Sequence, residues 1–332
     1  MTRERLRFAL PRPVPPGLWR RVPPAVFSPI LGALGLALAW LTGVSAFALP
    51  SGLAQLLAGM VVAVAAFALL AYKVKLIRRP GVLADDLDVL PGRAGLAAAV
   101  LSIYLVAAVI GAISSLVAGR AILIAGVALH AVLLAVLIRV FRRGPPEQRR
   151  VTPAWHLSFT GFIVAARAAI ILGWPALAAW LFWPAALAAL AVYAVSLRQA
   201  RTARVPAPLR PLLAIHLAPL ALFGTVALGL GWEAAGSVLA WAALAVVVVI
   251  GTGARWLLAD GFSPLWGALT FPLAATAGLW MTLWQIQPTE AHRLIAGALL
   301  VGATLMVIPI LTLILRDWAR GRLPVKTNAA IA

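Results

Sequence analysis

Long apolar runs recur along the whole chain and are separated by shorter polar connectors. A helix needs roughly 20 apolar residues to cross the hydrocarbon core of a bilayer, and ten runs of this kind can be placed. They lie at 26–48, 52–74, 94–117, 120–141, 153–173, 175–197, 208–230, 233–254, 263–285 and 293–316. Because the runs are continuously apolar instead of alternating, they predict helices rather than barrel strands. The pattern therefore predicts an all-α polytopic membrane protein with ten transmembrane helices.

The composition supports this prediction and narrows the class of protein. Of the 332 residues, 63% are hydrophobic and 11% are charged, whereas a soluble domain carries roughly a quarter charged residues. The net charge of +19 would suit nucleic acid, but the basic residues lie in connectors, where they orient spans in the membrane. No nucleic-acid partner is expected. The absence of cysteine excludes disulfides and thiolate metal sites.

The distribution of basic residues predicts the topology. All but three of the 28 lysines and arginines lie in the terminal tails or in the connectors after even-numbered runs; the exceptions are Arg120, Arg167 and Arg293. Under the positive-inside rule, both termini are cytoplasmic and the chain is a multi-pass protein of the cytoplasmic (inner) membrane. The predicted segments are a basic, proline-rich cytoplasmic tail at 1–25, a ten-helix transmembrane domain at 26–318 and a cytoplasmic C-terminal tail at 319–332.

The connectors differ in length on the two sides of the membrane. Those after odd-numbered runs are very short, so consecutive runs are expected to pair as five helical hairpins. One of the longer connectors, LADDLDVLPGR, carries Asp85, Asp86 and Asp88 shortly before the third run. We interpret this connector as solvated, with its acids favouring the N-terminus of the next helix.

The first and ninth runs share a motif. VFSPILGALGLALAW, which begins at Val26, aligns without gaps with GFSPLWGALTFPLAA, which begins at Gly261, and both contain F-S-P-x-x-G-A-L. The third run contains no proline, but the other odd-numbered runs do, at Pro29, Pro153, Pro219, Pro264 and Pro272; Pro184 and Pro309 lie in even-numbered runs. The repetition suggests a ring in which the odd-numbered helices share one interior.

The sequence offers no catalytic machinery. It contains no H-E-x-x-H, G-x-S-x-G or Walker motif, and its nine acids lie in tails, connectors or the ends of runs. A carrier coupled to protons or sodium ions, like a cation channel, needs acidic or oxygen-rich groups within the membrane. We therefore predict a path for anions or for a neutral solute, with no enzymatic activity, no cofactor and no metal.

A few polar side chains within the runs are candidates for lining such a path. Arg167, the one charge deep in a run, either attracts anions into a water-filled lumen or snorkels to the outer interface. His130 is expected to have a packing role, whereas His156 and His216 lie in odd-numbered runs beside prolines. If they line the lumen, their protonated forms would attract anions at low pH.

Four segments carry a resemblance to a known family. They are FSPILGALGLALAW in the first run, TPAWHLSFTGFIVAA in the fifth, PLLAIHLAPLAL in the seventh and FSPLWGALTFPLAAT in the ninth. The chain resembles the tellurite-resistance/dicarboxylate transporter family, which includes bacterial tellurite-resistance channels, fungal malate permeases and plant guard-cell slow anion channels. The resemblance covers essentially the whole chain, and its most specific element is the F-P pair of the ninth run.

This resemblance implies an architecture and a set of site residues. It implies five hairpins in a quasi-fivefold ring, with odd-numbered helices lining a central pore, and a homotrimer with one pore in each subunit. By the F-P motif, Phe271 corresponds to the phenylalanine that occludes the pore. The predicted kinks are Pro29, Pro219 and Pro272, and the predicted pore-lining residues are Phe27, His156, Phe159, His216 and Phe223.

The function that the sequence predicts is an anion channel or channel-like facilitator, which passes small inorganic or organic anions down their gradient in a lipid bilayer. Selectivity would come from the cost of dehydrating the anion in a largely apolar, weakly positive pore. Two alternatives stay open. One is a coupled C4-dicarboxylate transporter or tellurite exporter of the same family, and the other is a membrane scaffold without transport.

Overall fold

The helices of the protein follow the apolar runs. The computed structural model describes residues 19–332, and no strand occurs in this range. Each of the ten runs contains one main helix, of 10 to 30 residues. We label these helices α1 (Phe27–Ala46), α2 (Ser51–Arg78), α3 (Leu90–Ile113), α4 (Leu116–Arg143), α5 (Phe162–Ile171), α6 (Pro175–Thr202), α7 (Leu217–Gly229), α8 (Glu233–Thr252), α9 (Gly267–Ile286) and α10 (Glu290–Ala319). Most of the predicted tail at 1–25 lies outside the described residues.

Eight helical segments within residues 19–332 are long and apolar enough to cross a membrane. The segment that contains α5, His156–Ile171, is apolar but shorter. The remaining helix, α9, has 20 residues, but its threonines, tryptophans and proline lower its hydropathy. The chain is therefore a polytopic helical membrane protein.

Short irregular turns precede most of the odd-numbered helices. Pro24–Val26 and Pro264–Trp266 are 3₁₀ turns before α1 and α9, Ala207–His216 is a 3₁₀ segment before α7, and His156–Thr160 is a π-helical turn before α5. Such turns often occur at functional sites and at points of strain. Short helices at Val82–Asp88, Pro146–Arg149, Ala254–Leu257 and Leu323–Lys326 complete the described secondary structure.

The third helix departs from the sequence prediction. The run at 94–117 contains no proline, but α3 begins at Leu90 and carries Pro91 in its first turn. Proline is tolerated there because the first N–H groups of a helix have no partner within the helix. The helix thus starts upstream of the apolar run at 94–117, which itself contains no proline.

Packing separates the helices into two classes. Each odd-numbered helix packs against the even-numbered helix that follows it, and this gives five hairpins. Each odd-numbered helix also packs against two other odd-numbered helices: α1 against α3 and α9, α5 against α3 and α7, and α7 against α9.

Burial follows the same division. In the spans that contain α1, α3 and α7, 67–78% of the most apolar 18-residue window is buried, against 17–28% in the even-numbered helices. The exposed residues of the even-numbered helices are themselves apolar, such as Leu53, Trp180 and Leu305. Since water would not favour these surfaces, we infer that the even-numbered helices face lipid.

An ion pair is buried where α2 meets the connector that we expected to be solvated. Lys75 and Asp86 are both fully buried, with Lys75 Nζ 2.7 Å from Asp86 Oδ2. Tyr72 Oη donates to the same carboxylate oxygen over 2.9 Å, and Lys75 Nζ also donates to the Val22 carbonyl. The expectation of a solvated connector was therefore wrong for Asp86, because α2 runs on to Arg78 and brings Lys75 against it.

The C-terminal segment packs on this ion pair. The Ala330 N–H donates to Asp86 Oδ1 over 2.9 Å, and the Ala332 N–H donates to the Arg20 carbonyl over 2.9 Å. Leu323 and Thr327 are buried in the same segment. We call this end of the helical bundle, which holds the described terminal residues and most of the basic connectors, the basic end.

Candidate functional site

Helix α9 is continuous although it contains a proline. Pro272 lies inside the continuous helix Gly267–Ile286, where it supplies no N–H for the carbonyl of Ala268, four residues earlier. Ala268 lines a cavity near the basic end, so the residue whose carbonyl lacks this helical donor borders open space. Thr276 Oγ1 donates to the Pro272 carbonyl over 2.8 Å, which satisfies one backbone acceptor in the next turn.

The side chain of Phe271 lies between α9 and α1. Phe271 is only 3% exposed, and a Cβ atom placed on Gly35 of α1 would lie 3.0 Å from its ring atom Cδ2. That distance is tighter than ordinary van der Waals contact, so glycine at position 35 leaves room for the ring. The small residue in α1 and the aromatic ring in α9 therefore form one packing unit.

Two small cavities meet at Phe271. The first has a volume of about 40 Å³ and is lined by residues near the basic end, among them Ser28, Ala94, Ile215 and Gly267. The second has a volume of about 20 Å³ and lies further along the same helices. Its lining includes Leu101, Thr160, Val164, Pro219 and Leu222. The residues common to both cavities are Leu157, Ala218 and Phe271.

His156 lines the second cavity and pairs with His216, which lines neither cavity. His156 Nε2 lies 3.1 Å from His216 Nδ1, and His156 Nδ1 lies 3.2 Å from Thr160 Oγ1. A hydrogen bond between two imidazoles requires one ring to accept, so at least one of the pair is neutral in this arrangement. Tyr193 of α6 donates to the His216 carbonyl over 2.6 Å. His156 lines the second cavity, and the histidine pair links the turns before α5 and α7.

Three predicted pore-lining phenylalanines contact other aromatic rings and line neither of these cavities. Phe27 packs on Tyr72 of α2 with ring centroids 6.3 Å apart. Phe159 packs on Trp155 at 4.9 Å, and Phe223 packs on Phe182 of α6 at 5.0 Å.

Pro29 and His130 take part in helix packing. A Cβ atom on Gly267 would lie 3.2 Å from Pro29 Cδ, so α1 and α9 approach closely at their shared motif. His130 is fully buried, with Nδ1 3.0 Å from Tyr104 Oη and Nε2 2.8 Å from the Ser158 carbonyl. These contacts agree with the packing role expected for His130.

Arg167 is buried within the bundle. It is 4% exposed, and its Nη2 atom would lie 2.8 Å from a Cβ atom placed on Gly278 of α9. Its Nη1 atom is buried and has no hydrogen-bond partner. None of the ion pairs among the described residues involves Arg167.

Sequence reasoning missed several residues of this region. Leu157 and Ala218 line both cavities, Tyr193 holds the turn at His216, and Gly35 and Gly278 leave space for Phe271 and Arg167. Apolar and small residues carry no chemical signal in an alanine- and leucine-rich membrane sequence. The spacing of seven residues between Phe271 and Gly278 would have placed both on one face of α9.

No metal site was found in the part of the chain that the structure describes: residues 19–332 contain no group of three or more histidine, aspartate or glutamate side chains that could hold a metal ion. A larger apolar cleft of about 650 Å³ lies among α1, α2 and α10. Leu53, Met60 and Ile308 line it and are exposed, so it opens to the lipid-facing surface and is separate from the cavities at Phe271.

These observations define a helical membrane protein with a narrow interior between its odd-numbered helices. Residues 21–315 match the SLAC1 family, described as voltage-dependent anion channel. The match covers most of the chain, and the chain therefore belongs to the SLAC1 family. No curated protein matches the chain. The resemblance to the tellurite-resistance/dicarboxylate transporter family, which includes the plant slow anion channels, is thus confirmed, and this family is one of channels and transporters rather than of enzymes.

Proposed function

We propose that the protein is an anion channel, or channel-like facilitator, whose pore is closed by Phe271. The observation that carries this proposal is that the buried Phe271 ring lines both cavities between the odd-numbered helices. Small anions, such as halides, nitrate or organic acids, would pass from one cavity to the other when the ring moves. Membership of the SLAC1 family supports anions as the transported class.

The proposed pore runs through a ring of five helices. The contacts of α1 with α3, α3 with α5, α5 with α7, α7 with α9 and α9 with α1 return to the starting helix. These contacts support a quasi-fivefold arrangement in which the odd-numbered helices enclose the pore and the even-numbered helices face lipid. All ten helices would then cross the membrane, with α5 and α9 shielded by the others.

Phe271 and Pro272 have distinct roles in this proposal. A side chain of this size fills a passage that is otherwise bordered by small and aliphatic residues such as Ala218 and Leu157. Pro272 removes one backbone hydrogen bond, which lets the helix deform next to the ring. Pro219 borders the second cavity and would have the same effect in α7, while Pro29 supports the close approach of α1.

The remaining elements of the proposal rest on family resemblance and charge distribution. Both termini would be cytoplasmic in the inner membrane, because the basic connectors gather at one end of the bundle. A homotrimer with one pore per subunit is the assembly that the resemblance implies. That Phe27, Phe159 and Phe223 line the pore stays a prediction.

A planar-bilayer recording tests the gate. Wild-type protein and Phe271→Ala would be purified and compared in symmetrical potassium chloride and potassium nitrate. We expect the variant to conduct anions severalfold more than wild type. Phe182→Ala is the matched control, since Phe182 lies on the even-numbered helix α6 and lines neither of the two cavities. A Phe271→Ala protein that is folded but does not conduct would overturn the channel proposal.

The same recordings separate the alternatives. A coupled dicarboxylate or tellurite transporter would show currents that depend on a proton or sodium gradient, and a scaffold would show none in either variant. The described acids of the chain do not line the two cavities, which favours an uncoupled path because a coupling ion needs an acidic or oxygen-rich site within the membrane.

A further inference from the structure

The apolar cleft of about 650 Å³ among α1, α2 and α10 lies outside the proposed pore, on the far side of α1. Ala33, Leu36 and Trp40 line it, and their spacing of three and four residues places them on one face of α1. Gly35, which leaves room for the Phe271 ring, does not line the cleft. Helix α1 therefore separates this cleft from the two small cavities at Phe271.

The cleft is open to the surface that we infer to face lipid. Helices α2 and α10 both pack against α1, and the cleft opens between them. Its walls carry exposed apolar side chains: Leu53 is 67% exposed, Met60 57% and Ile308 51%. Ala37, on α1 at the floor of the cleft, is buried. The cleft is thus continuous with the lipid-facing surface, and the hydrocarbon of a bilayer has direct access to it.

The lining of the cleft suits hydrocarbon and not a polar ligand. No described residue that lines it is charged, and the side-chain nitrogen and oxygen atoms of these residues belong to Trp40 and Thr304. Trp40 Nε1 donates to Thr304 Oγ1 over 3.0 Å, and Thr304 Oγ1 donates to the Leu300 carbonyl over 2.7 Å. Both donors are therefore used within the protein. A polar ligand group buried here would lose its hydrogen bonds to water without a replacement, which is unfavourable.

The dimensions of the cleft also match a hydrocarbon chain. Its lining on α1 extends from Ile30 to Val44, which corresponds to about 21 Å along the helix axis. The volume divided by this length gives a mean cross-section of about 31 Å², or a width of about 6 Å. A chain of methylene groups is about 4 Å wide, whereas a helix with its side chains is about 10–12 Å wide. A hydrocarbon chain can therefore enter the cleft, while a helix of a second copy could contact only its rim.

The two ends of the cleft differ. Towards the basic end, the Phe67 ring of α2 lies 6.0 Å from Trp19 and 5.8 Å from Trp318 of α10, between ring centroids. These rings bridge α2 and α10 and close the cleft on this side. At the opposite end, the lining residues are Leu49 and Pro50 of the connector after α1, and both are exposed. A chain in the cleft would thus have its free end towards the aromatic rings and its polar head at this connector.

We propose that the cleft binds one acyl chain of a membrane phospholipid, which lies along the back of α1 with its headgroup beside the connector at Leu49 and Pro50. The site would recognise the chain and not the headgroup, because no described residue that lines it is charged. Lipid tails are as apolar as the cleft, so retention would come from close packing contacts. The bound chain would support α1 on the side opposite Phe271. This proposal does not depend on the function proposed for the pore.

Native mass spectrometry of the full-length protein tests the site by counting the phospholipids that stay bound in mild detergent. The protein would be incubated with phosphatidylglycerol or with phosphatidylethanolamine. Val61 of α2 is half-buried and lines the cleft, so Val61→Trp should occupy part of it with an indole ring. We expect this variant to retain one phospholipid fewer per protomer than wild type, with either headgroup. Val132→Trp is the matched control, because Val132 is exposed on α4 and lines none of the cavities described above.

Quenching of tryptophan fluorescence provides a second measurement. The protein would be reconstituted in phosphatidylcholine vesicles whose acyl chains are brominated near their middle, since bromine quenches an indole that it contacts. The difference between wild type and Trp40→Phe gives the contribution of Trp40. Trp241→Phe and Trp280→Phe provide the references, because Trp241 is 50% exposed on α8 and Trp280 is fully buried in α9. We expect Trp40 to be quenched nearly as strongly as Trp241 and far more than Trp280.

The possible results are distinct. Equal phospholipid retention in wild type and Val61→Trp would overturn the proposal, as would quenching of Trp40 no stronger than that of Trp280. A lower oligomeric mass of Val61→Trp with unchanged lipid retention would mean that a second copy of the chain covers the cleft. Retention of phosphatidylglycerol alone would indicate a headgroup site and would also contradict the proposal. If Val61→Trp does not fold, the quenching of Trp40 decides. None of these results depends on whether Phe271→Ala conducts.

Discussion

Lys75 in α2 and Arg167 in α5 are two basic side chains in the interior of the protein, 0% and 4% exposed. Lys75 is neutralised by Asp86, and Tyr72 and the Val22 carbonyl complete its surroundings. Arg167 has no carboxylate partner in the described chain, and Nη1 makes no hydrogen bond. Both side chains carry one positive charge and are buried. The protein supplies a counter-ion for Lys75 but none, among the described residues, for Arg167.

The difference indicates two uses of a buried cation. A charge that is paired within the protein joins elements together, and here it links α2, the helix Val82–Asp88 and the C-terminal segment at Ala330. A charge that is left unpaired is costly unless something outside the chain compensates it. Arg167 would thus be available to a solute, while Lys75 is committed to the fold.

The largest expected effect is at the paired site. Asp86→Asn removes the carboxylate and leaves Lys75 buried without a counter-ion, so we expect a loss of about 3–5 kcal/mol in the free energy of unfolding. Unfolding by SDS titration in mixed micelles measures this change. Asp88→Asn, at an exposed position of the same connector, is the control and should change little. Equal losses in both variants would show that burial of the pair does not matter.

At the unpaired site we expect the opposite sign. Arg167→Met removes a buried charge that has no partner, so the free energy of unfolding should rise, by roughly 1–4 kcal/mol if it behaves like other buried charges replaced by apolar groups. The measurement uses the same titration in sodium gluconate, so that no small inorganic anion is present. A loss of stability in this buffer would mean that Arg167 has a structural role and would break the comparison.

A smaller effect is expected at the hydroxyl that completes the paired site. Tyr72→Phe keeps the ring, which packs on Phe27, and removes the hydrogen bond to Asp86. Loss of a hydrogen bond to a charged group should lower the free energy of unfolding by about 1.5–3 kcal/mol. In the Asp86→Asn background the effect should shrink, since the two changes act on one network. Strict additivity of the two losses would contradict the network.

The smallest effect is expected at a neighbouring pair in water. Asp85 and Arg79 form an ion pair in which both side chains are about half exposed. Asp85→Asn should therefore lower the free energy of unfolding by less than about 1 kcal/mol, because solvent screens exposed pairs. The same SDS titration provides the value. A loss as large as that of Asp86→Asn would remove burial as the explanation for the difference.

The sequence predicted the helices well but not the pairing of polar groups. Each apolar run corresponds to a helix because backbone N–H and C=O groups in a membrane must hydrogen-bond within their own segment. A long, continuously apolar run indicates such a helix. From the sequence we predicted that Lys75 lies in a connector, since a lysine normally marks the end of a transmembrane span. Its burial depends on Asp86, and nothing local in the sequence indicates that the connector folds back on α2.

The candidate site shows the same limit. Phe271 was predicted as the gate from the family resemblance that its F-P motif carries, and His156 and His216 were predicted to line the pore from their position beside prolines in odd-numbered runs. Their hydrogen bond joins residues 60 positions apart in the chain and depends on the turns before α5 and α7. The directions of Phe27, Phe159 and Phe223 could not be deduced, because each helix is apolar on all sides.

The sequence by itself determined that the chain is a helical membrane protein, that its acids avoid the apolar runs, and that one arginine lies deep in the fifth run. These properties follow from composition and periodicity, which act locally along the chain. Only the tertiary structure decided that Lys75 is paired and Arg167 is not, and that Arg167 meets Gly278 in the interior. A buried charge is compensated only if an opposite charge lies next to it, and the packing of helices that are distant in the chain determines which groups are neighbours.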